Sequence, residues 1–468
     1  MDSGAYNGGG KVKALARATL RYCLAALLLP ALALAQKPTA RKSAAWVRSG
    51  VIYEINTRTF SPTGDFKGIE ARLPDLQQLG VNILWLMPIH PAGEARKKGP
   101  LGSPYSVRDY YGINPAFGTA ADLKSLVRAA HERGFKVIID MVLNHTSWDS
   151  VLMKHPEWYK HDAQGNIISP NPDWTDVAGL NYANPELRRY MIEMLTYWLR
   201  DFDLDGFRCD VAFGVPVDFW NEARDALERV KPEILMIAEA HQPDLLVHAF
   251  DLDYAWPFHS ALTNVFENGD TAVAIRSEWT QTHEAYPTGA MEMRFSDNHD
   301  EKRAIARFGE RGALAASALV FTMDGVPMIY NGMEAGDTTE SGAPALFFNL
   351  PVFWQIAERR PEFPSFYRQM IALRRAHPAL QQGETQWLDN AAPDRVLTFF
   401  RRDANEEFLI AVNCSNRPFI GGVDASGMFA NLTPRLGEEP HQNVPLPVVS
   451  LQAWGFRILK RLPQPVGP

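Results

Sequence analysis

The central part of the chain contains the segment Val137-Ile138-Ile139-Asp140-Met141-Val142-Leu143-Asn144-His145. It is a continuous apolar run that ends in polar residues, and such a run is typical of a parallel strand covered on both faces. The helix predicted before it begins after Thr119, a suitable N-cap, and ends before Gly134. The segment therefore predicts one helix–strand unit of an α/β fold.

Similar units repeat along the chain on both sides of this strand. Eight of them in about 330 residues favour a (β/α)8 TIM barrel over an open doubly wound sheet. The predicted strands comprise residues 51–55, 81–87, 137–139, 207–213, 234–238, 252–256, 291–295 and 326–330.

Two regions depart from the barrel pattern. Residues 146–183 are rich in Trp, Pro, Asn and Asp and too long for an ordinary loop, which predicts a small inserted domain after the third strand. Residues 387–463 contain only strands and turns, which predicts a C-terminal antiparallel β-sandwich domain. We therefore expect the catalytic barrel to comprise residues 46–145 and 184–382, preceded by a linker over residues 36–45.

The first 35 residues have the pattern of a secretory signal peptide. Four basic residues between positions 11 and 21 precede an apolar run over residues 23–35 that ends in Ala-Leu-Ala. A membrane-spanning helix needs about 20 apolar residues, and this run is shorter and contains Pro30. We expect cleavage after Ala35, a secreted or periplasmic protein, and no stable membrane anchor.

Composition excludes several classes of protein. With 468 residues, of which 46% are hydrophobic and 22% charged, the chain can bury a large core. A net charge of −7 without runs of like charge argues against a nucleic-acid partner. Three cysteines exclude a disulfide framework, and after cleavage we expect Cys209 and Cys414 to be free thiols.

Three predicted strands place a carboxylate at their carboxyl ends. Asp210 ends the fourth strand, Glu239 the fifth, and Asp300 follows the seventh. A single acidic residue there is more often a helix cap or an ion-pair partner. Because the carboxyl ends of barrel strands share one face, three together predict a catalytic site.

The surroundings of two carboxylates predict different protonation states. Arg208 lies two residues before Asp210, hence on the same strand face, and should keep it ionised for use as a nucleophile. Glu239 follows an apolar run, and desolvation should raise its pKa, as a general acid requires. Retaining glycosidases use such a pair about 5–5.5 Å apart, a distance compatible with adjacent strands about 4.8 Å apart.

Three further polar residues fall at the same face. A lone histidine is usually structural, but His145 and His299 both lie beside a candidate acid and are predicted to bind sugar hydroxyls. A metal centre is the competing use, but no HExxH spacing supports it. Tyr105 either stacks on a sugar ring or packs in the fold.

These strand-end segments resemble the signature regions of the alpha-amylase family of glycoside hydrolases (family 13). The resemblance covers about residues 46 to 380 in the family's order. It is carried by residues 104–110, 113–119, 140–145, 206–210, 239, 298–300 and 325–334.

The resemblance implies a role for each matching residue. Asp210 would be the nucleophile, Glu239 the acid and then the base, and Asp300 the stabiliser of the transition state. Arg208 would orient the nucleophile, and no cofactor is required for the chemistry. The subsite for the reacting glucose would be formed by Tyr105, His145 and His299, with Asp140 supporting it.

Two departures from the family pattern affect these expectations. Many members bind calcium through the asparagine at Asn144 and an aspartate in the insert, but the position expected for that aspartate is Gly179. Calcium is therefore possible but doubtful, unless Asp176 substitutes. Residues 211–215 replace a Lys-His pair of many alpha-amylases, which makes the leaving-group side less polar and favours short substrates or transfer.

The expected function is retaining hydrolysis of alpha-1,4-glucosidic bonds in starch-derived glucans or maltooligosaccharides by double displacement. The first alternative is a 4-alpha-glucanotransferase, because a sugar hydroxyl can attack the same covalent intermediate. The second is a non-catalytic sugar-binding or partner protein of the same fold. The oligomeric state stays open.

Overall fold

Eight parallel strands close into a barrel in the computed structural model, which describes residues 37–435 and 442–463 apart from the side chains of residues 343 and 344. Each strand pairs with the next along the chain, and the last pairs with the first, so the predicted TIM barrel is confirmed. The predicted signal peptide lies outside the described residues. The strands are β1 (Ile52–Ile55), β2 (Ile83–Leu86), β3 (Lys136–Val142), β4 (Gly206–Asp210), β5 (Leu235–Ala238), β6 (Leu252–Tyr254), β7 (Glu292–Arg294) and β8 (Val326–Tyr330).

Burial on both faces explains why these strands are almost continuously apolar. Nearly every residue of the eight strands is buried, since the core of the barrel covers one face and the helices cover the other. The register pairs Val142 with Asp210, and Cys209 with Ala238. The carboxyl ends of β3, β4 and β5 therefore lie level, which sets their terminal side chains next to one another.

The helices begin at the caps that the sequence predicted. Thr119 and Asp122 form a capping box, and the Asn184 side chain accepts hydrogen bonds from the first turn of its helix. The helices are Ala45–Arg48, Thr57–Phe60, Phe66–Ala71, Leu73–Leu79, Ala120–Glu132, Pro185–Phe202, Val217–Val230, Trp256–Phe266, Val273–Ala285, Ala304–Thr322, Ala343–Phe347, Glu362–Ala376 and Pro378–Gln382.

The insert between β3 and β4 contains little regular structure. Two short strands, His145–Ser147 and Val177–Gly179, pair antiparallel. Between them lie the short 3-10 turns Val151–Lys154 and Pro156–Trp158. This segment projects from the carboxyl end of the barrel, where the predicted carboxylates lie.

The C-terminal region is the predicted antiparallel β domain, and its strands are hydrogen-bonded in one sheet. Its six strands are hydrogen-bonded in the order β9-β10-β11-β14-β12-β13 around their own apolar core. The Arg401 guanidinium donates to the carbonyls of Thr322 and Gly383 at 2.7 and 2.9 Å, and these bonds fasten the sheet to the barrel. The strands are β9 (Glu384–Trp387), β10 (Val396–Arg402), β11 (Glu407–Asn413), β12 (Phe419–Asn431), β13 (Val444–Leu451) and β14 (Phe456–Arg461).

Three further observations concern sequence expectations. The described part of the expected linker is held against the barrel, where Arg41 lies 2.6 Å from Glu228 and 3.2 Å from Asp251. Cys209 and Cys414 are both buried and free, as predicted. Of the helices in the described ranges, none has both the length and the apolar character needed to cross a bilayer.

Candidate active site

A cavity of about 460 Å³ lies at the carboxyl ends of the barrel strands. Eight of the nine site residues predicted from the sequence gather here, with Asp140 and Arg208 fully buried beneath the cavity. The other six line it, namely Tyr105, His145, Asp210, Glu239, His299 and Asp300.

The Arg208 guanidinium is the centre of this site. Its Nη1 donates to Asp140 Oδ1 at 2.9 Å and to Asp210 Oδ1 at 3.1 Å, while Nη2 forms an ion pair with Glu239 Oε2 at 3.0 Å. Its Nε donates to the Tyr254 hydroxyl at 2.9 Å. One cation thus fixes carboxylates from three successive strand ends, including both members of the predicted catalytic pair.

The Asp210 carboxyl group is buried and only partly hydrogen-bonded. Burial and the charge of Glu239 raise its pKa well above the usual range, although Arg208 acts in the opposite direction. Arg208 therefore favours the ionised form of Asp210, as predicted, but its effect on this pKa is smaller than that of burial and Glu239 together. Asp210 Oδ2 accepts no hydrogen bond from the described residues, and His145 Nε2 lies 3.9 Å away. This oxygen is therefore a buried acceptor beside the cavity, left without a partner in the part of the chain that the structure describes.

His299 links two further carboxylates. Its Nε2 lies 3.1 Å from Asp300 Oδ2, and its Nδ1 contacts Glu54 Oε1. Burial alone would lower the pKa of His299, but the charges of Asp300 and Glu54 outweigh it and raise the pKa well above 6.5. Burial likewise raises the pKa of Asp300, but His299 outweighs that effect and lowers it. The pair is therefore an imidazolium beside a carboxylate.

Tyr105 connects the two halves of the site. Its ring stacks on the His299 ring at 5.3 Å and 19°, and its hydroxyl lies 2.7 Å from His299 Nε2. The same hydroxyl donates to Asp140 Oδ2 at 3.1 Å. One ring face is thus occupied by His299, and the hydroxyl continues the hydrogen-bonded chain towards Arg208.

Sequence reasoning missed several residues of the site. Glu54 on β1 contacts His299, and Tyr254 on β6 accepts a hydrogen bond from Arg208. In each case the signal in the sequence was a polar residue within an apolar strand. Trp174 of the insert also lines the cavity, with its ring 5.8 Å from that of His145. No spacing or periodicity in the sequence pointed to Trp174.

The backbone of Val211 is strained, and its amide binds the Glu239 carboxylate. The predicted strand through residue 213 ends at Asp210, because Val211 has left-handed torsions of φ 46° and ψ 45° and a 3-10 turn follows. A β-branched residue rarely adopts this conformation, which costs about 1–3 kcal/mol. The turn aims the Val211 amide at Glu239 Oε2, 2.7 Å away, and the Ala212 amide at the Glu239 carbonyl. The strained turn therefore sets the position of the second carboxylate relative to the first.

The residues around Asn144 do not suit a calcium ion. The Asn144 side chain contacts His145 Nδ1 at 3.3 Å, and Gly179, paired with His145, offers no carboxylate. The Asp176 carboxylate lies 3.2 Å from Lys98 Nζ and is already neutralised. Within residues 37–435 and 442–463, no three His, Cys, Asp or Glu side chains are placed to hold a metal ion. A hard divalent cation needs more oxygen ligands than this region supplies.

Comparisons with known proteins give consistent matches. The family profile described as alpha amylase, catalytic domain, matches residues 51–175 and 171–372. The alpha-amylase MalA of Haloarcula japonica is 30% identical over 403 residues, which are 81% of this chain and 58% of that protein. A cyclomaltodextrinase of Geobacillus thermopakistaniensis is 30% identical over 424 residues, 84% of this chain and 69% of that protein. The chain thus spans between about half and about two thirds of the length of these relatives.

A solved structure extends these matches to three dimensions. The noncanonic maltogenic alpha-amylase AmyB from Thermotoga neapolitana superposes with a TM-score of 0.78 and 33% sequence identity. The superposition covers 88% of this chain and 96% of that chain.

The charge on His299 is directly testable. In an NMR titration of histidine-labelled protein, His299 should remain an imidazolium at about pH 7.5, one unit above the ordinary histidine value of about 6.5. The Glu54→Gln variant should lower the pKa of His299, because it removes one of the two carboxylates that favour the charged form. His145, whose pKa burial lowers to about 4, should stay neutral and serves as the internal control. Ordinary titration of His299 in the wild type would contradict the assigned charge.

Proposed function

The chain belongs to the alpha-amylase family of glycoside hydrolases, and on this premise we propose that it hydrolyses alpha-1,4-glucosidic bonds with retention of configuration. The substrates are starch-derived glucans or maltooligosaccharides. One observation carries the proposal, namely that Arg208 holds Asp210 at 3.1 Å and Glu239 at 3.0 Å on neighbouring strand ends.

The reaction proceeds in two displacements. Asp210 Oδ2 attacks the anomeric carbon, the glycosidic bond breaks, and Glu239 gives its proton to the leaving oxygen. Glu239 then takes a proton from water, whose oxygen attacks the same carbon and displaces Asp210. Two inversions give net retention, and the enzyme returns to its starting protonation state.

The strand geometry supports retention rather than inversion. Asp210 ends β4 and Glu239 follows β5, and the Glu239 amide donates to the Cys209 carbonyl at 3.0 Å. Neighbouring strands are about 4.8 Å apart, close to the roughly 5–5.5 Å used by retaining enzymes and below the roughly 6.5–9.5 Å of inverting ones. A spacing of this size favours the retaining arrangement, in which one carboxylate attacks the anomeric carbon directly.

The charge balance of the site favours an oxocarbenium-like transition state. Carboxyl groups outnumber cations around the cavity, and preorganised negative charge stabilises the positive charge that develops at the anomeric carbon. The same excess contributes to the raised pKa of Asp210. The carboxyl groups are Glu54, Asp140, Asp176, Asp210, Glu239 and Asp300, and the cations are Lys98, Arg208 and His299.

The Asp210→Asn variant should lose turnover on maltoheptaose by roughly 10⁴- to 10⁶-fold, as removal of a covalent nucleophile does in other enzymes. The substitution changes almost no volume, so circular dichroism should show the wild-type fold, while the thermal transition reports the loss of one charged partner of Arg208. Product formation is followed by chromatography. Turnover close to the wild-type rate would refute the role of Asp210.

A companion variant separates the second carboxylate from the first. Glu239→Gln should lose activity on natural substrates but regain part of it with azide on an activated aryl glycoside, since azide needs no general base. Asp210→Asn should show no such recovery. An absence of rescue in Glu239→Gln would count against its acid/base role.

A second candidate function is 4-alpha-glucan transfer, and one exposed side chain favours it. Phe213 is 62% exposed in the turn Ala212–Gly214, whose first amide donates to the Glu239 carbonyl. It therefore lies on the side where the leaving sugar departs and an acceptor arrives. An exposed aromatic ring offers an acceptor sugar an apolar surface to stack on, in competition with water.

Maltotriose distinguishes transfer from hydrolysis. Products longer than maltotriose indicate transfer, and Phe213→Ala should then lower the ratio of transfer to hydrolysis several-fold by removing the stacking surface. Phe353→Ala is the matched control, since Phe353 is 53% exposed but precedes the 3-10 segment Trp354–Glu358 and lies outside the turn that contacts Glu239. If only glucose and maltose form, the protein is a hydrolase and this second candidate is excluded.

We also propose that the protein is exported, on the strength of its basic and apolar N-terminal segment alone. Expression in a secreting bacterial host followed by N-terminal sequencing should give a mature chain that begins at Gln36. An N-terminus at Met1 in the recovered protein would contradict export by cleavage.

A further inference from the structure

The position of Glu239 determines in which direction the substrate chain runs through the cavity. Resting on the proposed function, the leaving group must lie on the side of the proton donor, beside the turn Ala212–Gly214. The reacting glucose lies over Asp210. The remainder of the glucan that is to be transferred to Asp210 therefore extends away from Glu239, towards the opposite side of the barrel mouth.

That opposite side is formed by loops from three parts of the chain. In the closed barrel β5 stands across from β1, which is flanked by β2 and β8. The loops after β2 and β8, together with the insert after β3, therefore face the non-reducing end of the bound substrate. Lys98, Trp174 and Phe347 come from these three segments and line the same cavity as Asp210.

The loops after β2 and β8 are joined directly. The Leu101 amide donates to the Phe347 carbonyl at 3.3 Å, and a Cβ atom on Gly99 would lie 2.5 Å from the Cβ of Phe347. Arg58 Nη1 donates to the Leu346 carbonyl at 3.3 Å and holds the second loop from below. The two loops are in close contact, with no gap for a sugar chain between Gly99 and Phe347.

Lys98 joins the loop after β2 to the insert after β3. Its ammonium lies 3.2 Å from Asp176 Oδ1 and donates to the Asp173 carbonyl at 2.9 Å. The Asp176 side chain is 7% exposed, so this ion pair is better shielded from solvent than a surface pair. We call residues 98–101, 173–176 and 346–347 together the donor wall.

We propose that the donor wall confines cleavage to bonds near the non-reducing end of an alpha-glucan, so that the enzyme releases short products from chain ends. A cavity of about 460 Å³ lies in the lower part of the range of about 300–1,000 Å³ for small-molecule sites, which suits a short donor segment. The leaving-group side has no matching barrier at Phe213, which is 62% exposed. A long glucan chain therefore fits only on the leaving-group side of the cavity.

A blocked substrate tests this proposal on the unmodified enzyme. Maltoheptaose labelled at its reducing end is compared with the same molecule carrying a 4,6-O-ethylidene group on its non-reducing glucose. The wild type should cleave the blocked substrate at least about tenfold more slowly, because the wall leaves no space beyond a short donor segment. The first labelled products from the free substrate should have lost only one or two glucose units.

Variants then assign the effect to the wall. Lys98→Ala with Phe347→Ala should raise the ratio of blocked to free cleavage several-fold, by removing the tether to the insert and one side chain of the barrier. Lys98→Ala alone should raise it less and covers the case in which the double variant folds poorly. Lys154→Ala with Phe348→Ala is the matched control, with both side chains exposed and outside the cavity lining.

The outcomes separate this inference from the proposed function. Equal rates on the two substrates in the wild type overturn the donor wall and leave hydrolysis standing. No cleavage of either substrate overturns the proposed function itself. If the wild type rejects the blocked substrate and the wall variants reject it equally while cleaving the free one, the assignment to Lys98 and Phe347 is wrong.

Discussion

Burial of the Arg208 guanidinium is the constraint on which the site and the barrel both depend. A fully buried cation is tolerated only when its charge is paired and its donors are used, and removal of one partner leaves an uncompensated charge. The charge of Arg208 on β4 is paired with Asp140 on β3, Glu239 after β5 and its own strand neighbour Asp210, and its Nε donates to Tyr254 on β6. The pairing that makes β4 stable therefore also fixes the carboxyl groups of Asp210 and Glu239.

A second set of charged contacts, centred on His299, lies at the other side of the barrel mouth. His299, after β7, contacts Glu54 on β1 and Asp300, and the Tyr105 hydroxyl joins it to Asp140. A chain of polar contacts thus connects β1 to β6 across the mouth of the barrel. Because each carboxylate is held by a cation or a donor, the reacting groups need little reorganisation when charge develops on the substrate.

The sequence predicted the parts of this arrangement that depend on local pattern. Apolar runs located the eight strands, and parallel strands necessarily bring Asp210, Glu239 and Asp300 to one face. Other features depend on the sum of distant contacts. The pKa of Asp210 follows from burial and from Glu239 rather than from Arg208 alone, and the left-handed Val211 has no signature in a sequence where glycine would be expected.

The two sides of the cavity differ because one is formed by strand ends and the other by connecting segments. The acids lie on strand ends whose register is fixed by backbone pairing, so small changes in sequence cannot move them independently. Residues 98–101 lie on a loop and residues 346–347 end the short helix Ala343–Phe347, and such connecting segments tolerate change because few strand contacts depend on them. Their meeting over the donor side needs two segments far apart in the chain to arrive together, which no local pattern predicts. Under the proposed function, the barrel sets the chemistry of bond cleavage, and the segments after β2 and β8 set the position of the bond along the glucan.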